Sequence, residues 1–260
     1  MHTDRQLVAD EYYGDTRLLR ARQRLFDFQR PRFDLHDDVA SVVAVGAGPV
    51  IDVGCGNGLL RARLAARRPD LDLFGVDVST GMAPDVVGDV QAFPVADGVA
   101  GAVVAMHMLY HVPDIVTAVR EMARVLRPDG IAVATTNDST SLTELYTLAD
   151  HAFADVGGGP VPPRPDARFG LHHAHLLAAA FGEVGVRRRA YTVVCDQLEP
   201  LLGYLDSLRP AWRHLLPSGV AWEDFLAAAE GRLLAALTSG PFTSRGEAGM
   251  IIGRVPRASR

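Results

Sequence analysis

The chain has 260 residues, 48% of them hydrophobic and 22% charged, enough for one α/β domain or a core domain with a small cap and unlike a disordered or low-complexity chain. A net charge of −5 argues against a nucleic-acid groove, whose footprint is normally basic. Two cysteines, Cys55 and Cys195, give neither a disulfide framework nor metal-ligand spacing, so no metal is expected.

The amino terminus carries Asp4, Asp10, Glu11 and Asp15 and no apolar segment, so no signal peptide is expected. The longest stretch without Asp, Glu, Lys or Arg, 98–113, is too short to span a membrane, and a cytoplasmic protein is expected. Residues Glu11 to Arg30 predict a helix with Leu18, Ala21, Leu25 and Phe28 on its apolar face and Pro31 as its stop. A second short helix follows near Asp34 to Val43.

Val50, Ile51 and Val53, after Gly48 and Pro49, predict a buried parallel strand. Asp52 inside that run asks for a ligand donor at the strand's carboxyl end, because a buried carboxylate needs a partner. Gly54, Gly56 and Gly58 let the backbone turn and approach a ligand closely. Leu59, Leu60, Leu64 and Ala65 then predict the apolar face of a helix that Pro69 stops. The residues Leu71 to Asp77 predict a second strand ending in an acid about 20 residues past the loop, placed to take both hydroxyls of a ribose. A dinucleotide fingerprint would need glycine at 59, where Leu stands, and would not place Asp52 beside a pyrophosphate.

Asp52-Val53-Gly54-Cys55-Gly56-Asn57-Gly58 resembles the D/E-x-G-x-G-x-G motif of the class I S-adenosylmethionine-dependent methyltransferases. The resemblance implies a Rossmann-like, seven-stranded, mostly parallel α/β sheet with helices on both faces, an antiparallel last strand and a helical cap. It implies S-adenosylmethionine as cofactor, with Asp52, Gly54, Cys55, Gly56, Asp77 and Val78 in its site and Met82 against the adenine. It also implies that the amino-terminal helix, within a lid over 1–45, closes over the cofactor, where Tyr12, Tyr13, Arg20 and Arg24 would meet its carboxylate or the substrate.

Val86 to Asp89 predicts a third strand, and Asp89-Val90 followed by Phe93-Pro94 is similar to the family's adenine-binding segment. Gly101 to Met106 predicts a central fourth strand. It runs into His107-Met108-Leu109-Tyr110-His111, which in this family lies over the cofactor's methionine portion, beside Met106, and faces the acceptor. His107 and His111 are the candidate proton acceptors there, with Tyr110 and Tyr13 against the substrate. Asp114 predicts the cap of a helix with Val119, Met122 and Val125 buried. Arg127 to Gly130 predicts a turn and Ile131 to Thr136 the fifth strand, and the resemblance, which reaches quinone-biosynthesis methyltransferases, covers roughly 48–136.

Farther on, Ser141 and Glu144 predict a capping box for a helix through about Ala154, and Gly157 to Pro163 a loop. His172, His173 and His175 read as helix-start residues. Val184 to Val194 predicts a sixth strand with Arg187, Arg188 and Arg189 solvated. Asp196 and Glu199 predict a capped helix, residues 200–240 further helix, and Gly249 to Val255 the last strand. Helices around 139–175 and 197–240 would cap the methyltransferase domain, 46–260. The chain thus reads as an enzyme moving a methyl group to a small-molecule acceptor at O, N or C. The alternatives are a cofactor-binding protein with non-methylating chemistry and a nicotinamide-dependent oxidoreductase.

Overall fold

The computed structural model describes residues 6, 8–14, 16–46, 48–161 and 167–255. Asp4, Asp15, Pro162 and Pro163 lie outside the described residues, as does the side chain of Tyr12. The strands are β1 (Gln29–Arg30), β2 (Val50–Val53), β3 (Leu73–Asp77), β4 (Val86–Val87), β5 (Ala100–Met106), β6 (Leu126–Asn137), β7 (Glu183–Cys195) and β8 (Phe242–Arg254). They form one sheet in the order β1-β7-β8-β6-β5-β2-β3-β4. Pairing is parallel from β4 through β6, and β8 is antiparallel to both β6 and β7. The sheet has eight strands rather than the seven expected, because Gln29 and Arg30 add an antiparallel edge strand to β7.

That edge explains where the expected amino-terminal helix departs from its pattern. Val8–Tyr12 forms a π turn, α1 is only Arg17–Arg24, and Leu25–Phe28 tightens to a 3-10 turn before the chain extends. Buried Gln29 pairs with Val193 and Arg30 with Thr192, so unpaired backbone groups of β7 override helical periodicity before Pro31.

Alternation along the strands sorts the core into two faces. Ile51, Val53, Val103 and Ala105 join Val119 and Met122 of α4 (Ile115–Val125), which Asp114 caps by accepting from Thr117 N at 3.0 Å. On the other face Val50, Ala102, Val104 and Val133 meet Val39 and Val43 of α2 (Leu35–Val43), and Leu60 and Leu64 of α3 (Leu59–Arg67). Ala65, expected on the buried side, is exposed. The turn at Arg127–Gly130 lies inside β6, where Leu126 pairs with Ala100 and the register then shifts to Ile131 with Ala102.

A third cluster belongs to the cap. Helices Thr143–Asp155, Leu198–Asp206 and Trp222–Leu237 pack Leu145, Phe153, Leu201, Phe225 and Leu233 against Tyr191 and Val193 of β7. The capping box is not formed as expected. Ser141 Oγ donates to Glu247 O at 2.9 Å and accepts from Glu247 N at 3.0 Å, while Glu144 accepts from Ser244 Oγ and Arg245 N. Both side chains fasten the cap to β8, which begins at Phe242 rather than near Gly249. Asp196 is not a cap either: the helix starts after Gln197 without a side-chain cap, and Glu199 pairs with Arg24.

Candidate active site

The carboxyl ends of β2, β3 and β5 open into a cavity of about 840 Å³, the position where ligands bind in open α/β sheets. Short segments after β2, β3, β4 and β5 form its core-side wall, and all but the one after β4 are positioned by the end of a buried strand.

After β2, the chain turns through Gly54 and Gly56 at φ +64° and +51°. A Cβ on Gly54 would stand 2.8 Å from Met108 Cβ, so this approach needs glycine as well as the left-handed backbone. Asp52, 2% exposed, is on the cavity wall with Cys55. Burial, and then neighbouring Asp77, push the Asp52 carboxyl up to about 7. After β3, Asp77 accepts from Gly56 N at 3.2 Å and Ser79 N at 3.0 Å, which locks the acid against the glycine loop. Burial raises its carboxyl, although those amides pull the other way. Val78, Asp89, Val90 and Met106 also line the cavity. Asp89 accepts from Gln91 N at 2.9 Å and so also shapes its own turn. Met82 is buried but is not on the cavity wall.

After β5, His107 takes φ +49° and its N–H donates to Thr135 O at 3.1 Å, a left-handed backbone that a non-glycine residue holds only where the surroundings fix it. Burial lowers His107 to about 4 and His111 to about 3, with Arg22 adding to both. Both imidazoles are therefore neutral at pH 7. His111 Nε2 lies 2.9 Å from the Tyr13 hydroxyl, and the rings meet edge to face at 5.4 Å. Arg22 Nη1 donates to the same phenol oxygen at 3.4 Å. Arginine only donates, so the phenol oxygen accepts from it and its own proton is available to Nε2.

The opposite wall comes from the amino terminus and the cap. Tyr13 is held there because Ser79 Oγ donates to Tyr13 O at 2.8 Å and to Ala9 O at 2.9 Å. Asn57 Nδ2 donates to Gln23 Oε1 at 2.8 Å, joining α1 to the glycine loop. Tyr110, Tyr146, Tyr191, Tyr204 and Trp212 complete an aromatic lobe. Arg20 and Arg24, expected near the ligand, are exposed; Arg22 is the arginine of α1 on the cavity wall. The sequence carried a signal for it, since Arg22 falls four residues after Leu18 and three before Leu25, inside the apolar stripe. Among the described residues no group of three His, Cys, Asp or Glu side chains could hold a metal ion. None of their helices is long and apolar enough to cross a membrane.

This strand order, with the glycine loop after β2 and the acid ending β3, agrees with the Rossmann-like fold that the resemblance to class I S-adenosylmethionine-dependent methyltransferases implies. Residues 51–134 match the family model described as "Methyltransferase domain". The chain is 34% identical over 137 residues to a ubiquinone biosynthesis O-methyltransferase of Xanthomonas campestris pv. campestris, covering 45% of this chain and 57% of that protein. It is 32% identical over 154 residues to a demethylmenaquinone methyltransferase of Mycobacterium sp., covering 51% and 63%. The chain thus spans about three-fifths of the length of these relatives. Among solved structures, the 4+2 cyclase SpnF aligns over 99% of this chain and 97% of its own at TM-score 0.55 and 21% identity. A Haemonchus contortus phosphoethanolamine N-methyltransferase 2 in complex with S-adenosyl-L-methionine aligns over 97% and 60% at TM-score 0.54 and 16% identity. These structural likenesses speak to the fold.

The residues present fit S-adenosylmethionine, the cofactor that the resemblance implies. Asp52 is a buried acid that a ligand ammonium would compensate, Asp77 is fixed for vicinal hydroxyls, and Gly54 and Gly56 leave room for close backbone approach.

Proposed function

We propose that the chain transfers a methyl group from S-adenosylmethionine to a small-molecule acceptor held in the aromatic lobe. The observation that carries this reading is that Asp52, the glycine loop and Asp77 share one cavity with Tyr13, His111 and Tyr204. Asp52, Gly54, Cys55, Gly56, Asp77, Val78, Asp89, Val90 and Met106 are assigned to the cofactor. Met82 is assigned to support behind the wall.

When bound, the cofactor supplies a methyl group on a positively charged sulfur, open to in-line attack. The chain supplies alignment and exclusion of water. The Tyr13 hydroxyl faces the acceptor, and the neutral His111 Nε2 behind it can take a proton when the acceptor must lose one. His107 fixes the backbone at the end of β5, and Tyr110 lines the acceptor side. Residues 1–45 act as the lid and the helices around 139–175 and 197–240 as the cap. This makes a cytoplasmic enzyme of small molecules, with neither nucleic acid nor membrane as partner.

The test is a thermal shift of the purified chain with S-adenosylmethionine, S-adenosylhomocysteine and NAD separately, followed by mass spectrometry for methylated products. Stabilisation of about 2.7 kcal/mol is expected at a hundredfold excess of either sulfur ligand over its Kd. A shift with NAD alone would overturn the assignment. Binding of the sulfur ligands without methylated product across phenols, hydroxyls, amines and acids would favour non-methylating chemistry.

A further inference from the structure

Arg22 stands out in the acceptor lobe by what it does not touch. Its Nε donates to Ser207 Oγ at 3.3 Å, Nη2 to Ser207 O at 3.1 Å and Nη1 to the Tyr13 phenol at 3.4 Å. All three partners are neutral. A guanidinium has five N–H donors, so one remains on each terminal nitrogen, the arrangement a carboxylate can take with two bonds.

The cavity wall is not short of acids, yet none pairs with Arg22 among the described residues. Asp34 is engaged by Arg63, Asp77 by backbone N–H groups and Asp89 by Gln91. Burial disfavours the charge of Arg22 and the nearby Tyr13, Tyr110 and Tyr204 favour it, but it forms no ion pair among the described residues, so its two remaining donors suit a counter-anion. Its bonds to Ser207, after the cap helix Leu198–Asp206, and to Tyr13 tie its head to the aromatic side of the cavity, while the neighbouring Gln23 reaches the glycine loop. Tyr146, Tyr204 and Trp212 meet edge to face there, with Tyr146 5.7 Å from Trp212 and 6.5 Å from Tyr204, offering flat apolar surface next to the cation.

We infer that Arg22 is a specificity residue that receives an anionic oxygen group of the acceptor, so that the acceptor is an aromatic acid. The inference rests on the methyltransferase reading for the word acceptor, and on the cavity alone for the ligand's chemistry.

The experiment is equilibrium binding by calorimetry, with S-adenosylhomocysteine present and absent, of 4-hydroxybenzoate, cinnamate and indole-3-acetate against their neutral amides. At least one acid should bind the parental chain about tenfold to a hundredfold more tightly than its amide, the range of a charge-assisted bond. Arg22→Gln should remove that preference while leaving S-adenosylhomocysteine affinity within twofold. Arg22→Lys keeps the charge but not the fork, and should restore part of the preference; it also serves should the Gln variant fail to fold. Two results overturn the inference: no acid preferred over its amide by the parental chain, or a preference unchanged in the Gln variant while S-adenosylhomocysteine affinity falls tenfold, which would give Arg22 to the cofactor's carboxylate. Because the acid preference is also read without the cofactor, failure of the methyltransferase reading would appear separately, as absence of S-adenosylhomocysteine binding.

Discussion

The two walls of the cavity are built on different principles. The core-side wall consists of strand ends: Asp52, Asp77 and Met106 each sit where a buried parallel strand stops, so backbone pairing across the sheet sets their spacing. The cap-side wall brings Tyr13, Arg22, Tyr146, Tyr191 and Tyr204 from elements far apart in sequence, and only tertiary packing brings them together. In the proposed reading the first wall would hold the cofactor with backbone amides and acids. The second presents aromatic surface and a cation, which can change from one acceptor to another without disturbing the first.

The largest expected effect tests whether chemistry needs both walls. Tyr13 and His111 form a hydrogen bond between the two walls, at 2.9 Å. Should the pair handle the proton, His111→Gln lowers turnover by about 10² to 10⁴ at unchanged cofactor affinity, and Tyr13→Phe follows it in the same direction. Parental turnover in both folded variants would reduce the bond to a latch between lid and core.

Next is the core wall alone. Asp77→Ala should weaken S-adenosylhomocysteine binding by roughly 1.5–3 kcal/mol, the worth of hydrogen bonds to a charged group, and leave the binding of aromatic acids to the cap wall unchanged. Isothermal calorimetry on the same preparation reads both. Loss of both affinities together would mean that the walls are not independent.

A third prediction turns on titration. His107 and His111 have folded values of about 4 and about 3, below the ordinary 6.5. The stability they contribute is therefore complete above pH 6.5 and is lost as pH falls towards those values. Asp52 has the opposite sign: its folded value, about 7, lies above the ordinary 3.8, so its contribution is complete below pH 3.8 and is lost as pH rises through 7. The two trends oppose each other between pH 4 and 6.5. Asp52→Asn removes one of them, so the variant should gain stability more steeply with pH over that window. At pH 8 it should exceed the parental chain by on the order of 2 kcal/mol. Urea unfolding at pH 4.5 and pH 8 checks this, and an equal offset at both would show that Asp52 does not titrate.

The same contrast explains what could be read before the structure. The order of strand, glycine turn, helix, strand and acid is local, and each step has its own residue signature, so the core wall was legible down to Asp52 and Asp77. Arg22 does not stand out from Arg20 and Arg24 in the sequence, because arginines on a surface helix are normally solvated; its position within the Leu18–Leu25 stripe is what distinguishes it. The early end of α1 was invisible because the cause lies in β7, more than 150 residues away. Ser141 and Glu144 have the spacing of a capping box, but the partners that claim them, Ser244, Arg245 and Glu247, belong to the last strand. Local spacing proposes a partner and long-range pairing decides it.

The smallest expected effect asks whether that attachment of cap to core is mechanical only. Buried Ser141 makes two bonds to the Glu247 backbone, one as donor and one as acceptor, and the next residue, Leu142, takes a left-handed φ of 59° with its N–H donating to Arg245 O at 2.7 Å. Ser141→Ala leaves the Glu247 amide and carbonyl without the hydroxyl and should cost about 1–2 kcal/mol. Glu144→Gln keeps an acceptor for Ser244 and Arg245 and should cost less. Both residues bond β8 on the cap side, so S-adenosylhomocysteine affinity should stay within twofold in both variants while urea midpoints fall in that order. A loss of cofactor affinity in Ser141→Ala would mean that the seating of the cap on β8 also sets the core wall, and the cavity would then have to be treated as one unit.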